Sequence, residues 1–373
     1  PAQDRRERTG QPGRYLDPRR SGRRAEPDRP AAAGETMAAS ARGYAIVLGA
    51  GASRAAWRRT ISAPLDKGFF SEAKRILYRK GVPQKHKEIW RSFSGAAAKA
   101  GIQPKKLERL GLEEVCTYLE SRSNLKSLQI RKGQPKDYGV AIRKLKQLVC
   151  LVLSHSGATE PCELHENMLK ECQTKSVITF NYDIIADTTL MKMGILALRD
   201  KEYCDLGVLL GTKTGKNKTI EREKLPKAKA NSVRLYKMHG SINWTRNKQG
   251  RFYLSSRKDP RSEYEWAGAP KDPFIVAPVA SKLDIKDSHF KDVWKNALKS
   301  LKEAKGWIIW GYSFPRTDTT AQVLFRVALQ NNKKYKRVIV INPDLGMKGH
   351  VEALLDKVKV EQFTSAEQFL YHL

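Results

Sequence analysis

Five short, mostly apolar runs, each followed by a glycine or a polar residue, constrain what this chain can fold into. They are residues 44–48 before Gly49, 176–180 before Asn181, 233–238 before His239, 307–310 before Gly311 and 337–341 before Asn342. Runs this short and this apolar suit strands buried on both faces. Residues 274–278 and 358–363 are two further strand candidates. Helical patterns lie between them, over 289–304, 319–329 and 349–355, and after Asp183 to about Met193. Alternating strands and helices predict an α/β fold with a doubly wound, mostly parallel sheet.

One long stretch breaks the alternation. From about 68 to 172 there is no comparable strand run. Leu112, Val115, Cys116 and Leu119 recur at i, i+3, i+4 and i+7, and Ile142, Leu145, Val149 and Val152 form a second stripe. These are core faces of amphipathic helices, so 68–172 is expected to be a helical insertion. The Lys-rich stretch after Met193 reads as loops.

At 373 residues the chain can bury a sizeable core. No stretch approaches the roughly 20 apolar residues that span a bilayer, and the first forty residues lack a signal-peptide core. A soluble, cytoplasmic protein with no membrane partner is expected. Residues 1–40 are rich in Arg, Pro, Gly and Ala and read as a disordered basic tail. Met37 stands just before the first apolar run, so a native start at Met37 is the expectation. The ordered domain is expected over 41–373. Cys116, Cys150, Cys162, Cys172 and Cys204 include no C-x-x-C pair, which argues against a zinc module and for buried thiols. The formal charge of +31 attracts polyanions. The excess is spread along the chain, however, so a nucleic-acid face and a general compositional bias both remain open.

Ligands of parallel sheets bind beyond the carboxyl ends of the strands, which singles out four places. Gly49-Ala50-Gly51-Ala52-Ser53 allows a tight turn and close backbone approach to phosphate; it also fits a plain strand-to-helix turn. It lacks a P-loop lysine. Asn181-Tyr182-Asp183 offers a donor and acceptors, or caps the next helix. His239-Gly240 places an imidazole where a general base can work near neutral pH, or holds a satisfied structural histidine. Gly311-Tyr312-Ser313-Phe314-Pro315 with Thr317-Asp318, and Asn342 after the next run, can take ribose hydroxyls or serve as turn residues.

Taken in order, these places resemble the sirtuin superfamily. Sirtuins carry a Gly-Ala-Gly-x-Ser loop, an Asn-x-Asp segment, a His-Gly pair, a Gly-x-Ser loop and a late Asn. Here Gly49 to Ser53, Asn181 with Asp183, His239-Gly240, Gly311 with Ser313, and Asn342 fill those positions, spanning about 44–345. Ala63-Pro64-Leu65, the Gly-Tyr-Ser-Phe-Pro form and Thr317-Asp318 look closer to bacterial sirtuin-like NAD-hydrolysing domains of antiphage systems than to lysine deacylases. The paired zinc cysteines are missing, and Phe180 replaces the Gln that precedes the catalytic Asn in deacylases.

The resemblance implies a Rossmann-like fold and NAD as substrate, cleaved to nicotinamide and ADP-ribose. It implies that Gly49, Ala50, Gly51, Ala52 and Ser53 hold the pyrophosphate and that Asn181 orients the nicotinamide ribose and a water. His239 would take a proton, and Asp183 would bind the carboxamide or support Asn181. Gly311, Tyr312, Ser313 and Asn342 would serve the adenosine side. It also implies restraint until a nucleic-acid or protein trigger acts, and it leaves an oligomer open. Rival readings are NAD-dependent deacylation or ADP-ribosyl transfer, a non-catalytic module for NAD or ADP-ribose, and a nucleic-acid-binding scaffold.

Overall fold

The computed structural model describes residues 43–56, 66–127, 138–211, 218–268, 273–276, 288–330, 337–356 and 358–373. The expected tail before residue 41 and the Ala63-Pro64-Leu65 stretch lie outside them.

β1 (Ala45–Leu48) leads through Gly49 into the short helix α1 (Ala50–Ala55). Six helices follow among the described residues: α2 (Phe69–Leu77), α3 (Gln84–Lys99), α4 (Pro104–Leu107), α5 (Leu112–Ser127), α6 (Tyr138–His155) and α7 (Glu163–Glu171). Next come β2 (Ser176–Thr179), α8 (Ile185–Lys192), β3 (Gly207–Leu210), β4 (Lys218–Glu221), β5 (Arg234–Lys237), β6 (Gly240–Arg246), β7 (Phe252–Ser256) and β8 (Pro273–Ile275). The chain closes with α9 (Ser288–Glu303), β9 (Gly306–Trp310), α10 (Thr319–Gln330), β10 (Arg337–Ile341), α11 (Met347–Leu355), β11 (Val360–Phe363) and α12 (Ala366–Tyr371).

The main sheet has six strands in the order β11-β10-β9-β1-β2-β5, every pair parallel. From β1 the chain runs first to β2 and β5 on one side, then to β9, β10 and β11 on the other. This is a doubly wound, Rossmann-like α/β arrangement whose switch point lies between β1 and β9. Alternate residues of each strand enter different cores. Ile46, Leu48, Val177, Ile308 and Ile339 pack on one face with α7, α8 and α12. Ala45, Val47, Ile178, Ile309 and Val340 pack on the other with α9, α10 and α11. Burying each Val, Leu or Ile contributes about 1.5–3 kcal/mol relative to exposure, which is why the apolar runs were readable as strands.

The helices between β1 and β2 form a third core around Phe70, Phe93, Leu119, Leu148 and Val152. Both expected stripes face it, with Ile142 at its margin. The sequence reading fails in the stretch between Met193 and β5. Residues expected to be loops include β3 and β4, and these belong to a second, five-stranded sheet in the order β4-β3-β7-β6-β8. The strand expected at 274–278 is observed at Pro273–Ile275 and pairs with β6 in that second sheet. Its pairings are antiparallel except for β3 with β7. Trp244 stacks on Phe252 at 4.0 Å, and Phe252 on Phe274 at 5.4 Å, so aromatic rings fill its inner face. No helix among the described residues is long and apolar enough to cross a membrane. The five cysteines are all buried free thiols.

Candidate functional site

Register gathers the site. Leu48 pairs with Thr179 and with Trp310, Trp310 with Ile341, and Thr179 with Lys237. These residues form one row at the carboxyl edge of the main sheet. Gly49, Asn181, His239, Gly311 and Asn342 follow that row within two residues and therefore share one end of the molecule.

Beside the switch point, Asn181 is fixed by its amide. Nδ2 donates to the Gly49 carbonyl at 2.8 Å and to Ser53 Oγ at 2.8 Å. Ser53 Oγ in turn donates to Asp183 Oδ2 at 2.5 Å. Both Asn181 amide hydrogens point inward, which leaves Oδ1 as the acceptor that a water or hydroxyl can meet. Asp183 is buried, and its Oδ1 accepts from the Ile185 amide at 3.1 Å, turning the chain into α8. Both its oxygens are thus engaged within the protein. Burial raises the pKa of its carboxyl, against the pull of nearby Lys237 and the Ser53 hydrogen bond.

Behind Asp183 lies a polar network that sequence reasoning missed. Lys237 Nζ donates to the Asp183 carbonyl and to Asp187 Oδ2, both at 2.6 Å, and Lys237 and Asp187 are completely buried. Tyr203 OH and Asn243 Nδ2 donate to Asp187 Oδ1 at 2.8 and 3.2 Å. Asn243 belongs to β6, so the second sheet braces the Asn181 loop from below. The hint in the sequence is Lys237, a charged residue next to the end of a strand run whose other charge, Arg234, stands at its start.

His239 is buried at the end of β5, with Nε2 3.2 Å from Asp318 Oδ2. Asp318 also accepts from Tyr312 OH at 2.9 Å and from the Ala321 amide at the start of α10. A carboxylate on one ring nitrogen fixes an imidazole's orientation and supports its charged form. Asp318 stood in the sequence only as part of a dipeptide behind the glycine turn, and a helix-capping aspartate is too common to mark a histidine's partner.

The Gly49 to Ser53 loop differs from the expected phosphate cradle. The Gly49 amide donates to Trp310 O, the Gly51 amide to Gly311 O and the Ala52 amide to Gly49 O, at 2.9–3.0 Å. A Cβ on Gly311, whose φ is +64°, would stand 2.2 Å from the Ala52 nitrogen, and one on Gly49 would meet Gly311 O at 2.4 Å. These glycines therefore let the loops after β1 and β9 press together. Of the five loop residues, Ala50 is exposed and Gly51 half-buried, while Gly49, Ala52 and Ser53 are buried.

Tyr312 was expected to meet a ligand. Instead it is buried, stacked on Phe180 at 4.1 Å with 6° between the rings. Phe180 N also donates to the Leu48 carbonyl at the end of β1 at 3.0 Å, and the Phe180 and His239 rings meet edge to face at 5.3 Å. Ser313 is exposed. Asn342 Oδ1 accepts from the Asp344 amide at 2.9 Å, which is turn chemistry. Thr317 Oγ1 donates to Glu113 on α5, tying the β9 loop to the helical insertion. Next to Asn181, Tyr182 lines a cavity of about 20 Å³ with Cys116 and Glu120, room for about one water. Among the described residues no three His, Cys, Asp or Glu side chains are placed to hold a metal ion.

No family model matches this chain, and no curated protein matches it. Solved structures of Sir2 enzymes are similar at a distance. One, from a study of Sir2 mechanism and regulation, is 14% identical over 90% of this chain and 93% of its own, with a TM-score of 0.38. A Sir2 complex with a p53 peptide and NAD+ is 11% identical over 91% and 95%, with a TM-score of 0.35. A Sir2 complex with the inhibitor EX-527, 2'-O-acetyl-ADP-ribose and deacetylated p53 peptide is 12% identical over 57% and 70%, at 0.30. Similarity this distant assigns no residue its role, and the site is read from its own geometry.

Proposed function

We propose that this protein binds NAD at the carboxyl edge of the main sheet and hydrolyses it to nicotinamide and ADP-ribose. The observation that carries the reading is the pairing, on adjacent loops, of a tethered Asn181 with a carboxylate-supported His239. In this reading the glycosidic C–N bond breaks and nicotinamide leaves neutral with the bonding electrons, so no general acid is required. The ribose carbon passes through an oxocarbenium-like state, as in glycoside hydrolysis. Asn181 Oδ1 accepts from the attacking water or a ribose hydroxyl and holds it in line. His239 takes the proton released when the new C–O bond forms, and Asp318 stabilises the resulting imidazolium.

Asp183 is a positioning residue in this scheme, acting through Ser53 on Asn181. The pyrophosphate is assigned to the exposed rim at Ala50, Gly51 and Ser313 rather than to the buried amides of the glycine loop. Fixed geometry of this kind is worth several kcal/mol of barrier.

The test is incubation with NAD and chromatographic separation of nicotinamide and ADP-ribose. Wild type should release both in equal amounts, and Asn181→Ala and His239→Ala should each abolish release while retaining a native melting transition. Turnover that survives in both variants would remove the mechanism. Release that requires an added acyl-peptide would replace hydrolysis with deacylation, and tight NAD binding without turnover would leave a binding module.

A further inference from the structure

A second site is suggested by a cleft in the helical insertion. Its volume is about 630 Å³, and it lies where α3, α6 and the segment after β7 converge. Lys85 and His86 come from the first turn of α3, Lys144 and His155 from α6, and Arg257 and Trp266 from the segment after β7. His86 Nδ1 and His155 Nε2 are 2.9 Å apart, so one ring donates to the other and the start of α3 is pinned to the end of α6.

Three features of this cleft call for a ligand. Its lining contains three cationic side chains and no carboxylate. Arg257 Nη1 donates to Glu265 at 3.2 Å, but neither Lys85 nor Lys144 has a carboxylate at ion-pair distance among the described residues. Like charges around a concave, partly apolar surface focus their field on an incoming anion. Trp266, half-buried, lines one wall of the cleft and gives it an aromatic surface against which a flat ring can pack. Finally, the volume falls in the range of small-ligand sites, about 300–1,000 Å³. A single indole in the wall suits one ring, whereas a groove for a nucleic-acid strand offers a row of aromatics for successive bases.

We propose that this cleft binds a free phosphate ester of nucleotide size. Lys85, Lys144 and Arg257 take its phosphates, and its ring lies against the wall that holds Trp266. The site shares no residue with the Asn181 and His239 cluster and does not depend on the reading given to that cluster.

Isothermal titration of the full chain with ADP at fixed salt tests the proposal. Wild type should bind ADP. The double variant Lys144→Ala with Arg257→Ala should bind at least tenfold more weakly, and the Asn181→Ala variant should retain the full affinity of this site. Lys85→Glu, on an exposed side chain, gives an independent variant should the double variant melt early, and it too should bind at least tenfold more weakly. The proposal is overturned by equal ADP affinity in wild type and the charge variants, by no binding of ADP at millimolar concentration, or by binding of a twelve-nucleotide oligothymidine where ADP does not bind.

Discussion

The two sheets of this protein do different work with different sequence patterns. The six-stranded sheet is parallel and covered on both faces, and the candidate site sits on the loops at its carboxyl edge. The five-stranded sheet is largely antiparallel and meets the site from another side. It contributes Asn243 from beneath, next to the buried pair of Lys237 and Asp187. The contrast teaches that the site is fixed twice: in front by backbone register, and behind by a buried ionic network.

The largest expected effect breaks that network. Lys237→Met leaves the Asp187 carboxylate buried without its cation, at a cost of about 3–5 kcal/mol. Urea unfolding measures it, and the double variant with Asp187→Leu should recover most of the loss. A cost below about 1 kcal/mol for Lys237→Met would mean that the second sheet does not brace the site through this pair.

The front support is probed by glycine. Gly194 and Gly311 both have left-handed φ, +67° and +64°, which costs about 1–2 kcal/mol for an L side chain. A Cβ on Gly194 meets nothing within 4 Å, whereas one on Gly311 strikes the α1 backbone. Overpacking adds about 1–3 kcal/mol. Gly311→Ala should therefore be the more destabilising of the two by that margin, read from paired melting curves.

A third effect is catalytic and rests on the proposed function. Ser53→Ala removes the hydroxyl that links Asn181 to Asp183, and misplacing Asn181 should slow NAD cleavage about a hundredfold. Because burial raises the Asp183 pKa, the acid limb of the rate profile should lie above the ordinary aspartate range. Asp183→Asn should abolish that limb. The sign for stability is opposite. A raised folded pKa contributes stability below the unfolded value and loses it as pH rises through the folded one. Between pH 4 and 7, Asp183→Asn should therefore gain stability relative to wild type. A constant difference across that range would contradict the raised pKa.

The smallest effect lies at the outer edge of the main sheet, away from the site. Arg337 and Glu361 join β10 to β11 at 2.7 Å, but both side chains are nearly half exposed. Arg337→Ala should cost no more than about 1 kcal/mol, and less in high salt.

The main sheet was legible because a strand buried on both faces leaves a continuous apolar run, as at Ala45–Leu48 and residues 338–341. The second sheet was not, because β4 (Lys218–Glu221) exposes three of its four residues and β3 finds its partner β7 more than forty residues away. Asn181, Ser53 and His239 were visible as polar groups set just after apolar runs. Their supports were not: Asp318 looks like any helix cap, and Lys237 and Asp187 look like surface charges until burial pairs them. The sequence singled out these glycines for phosphate approach, and the structure adds a second reason for them, since Gly49, Gly51 and Gly311 make room for one another where the loops after β1 and β9 meet.

What the sequence determined by itself was local: which segments bury both faces, where each strand stops, and which polar residues stand at those stops. Only the tertiary structure decided which stops share an edge, which charges meet in the interior, and that Phe180 stacks on Tyr312. Backbone preference and apolar patterning act over a few residues, whereas register, burial of ion pairs and loop-to-loop contact depend on segments that are distant in the chain and meet only after folding.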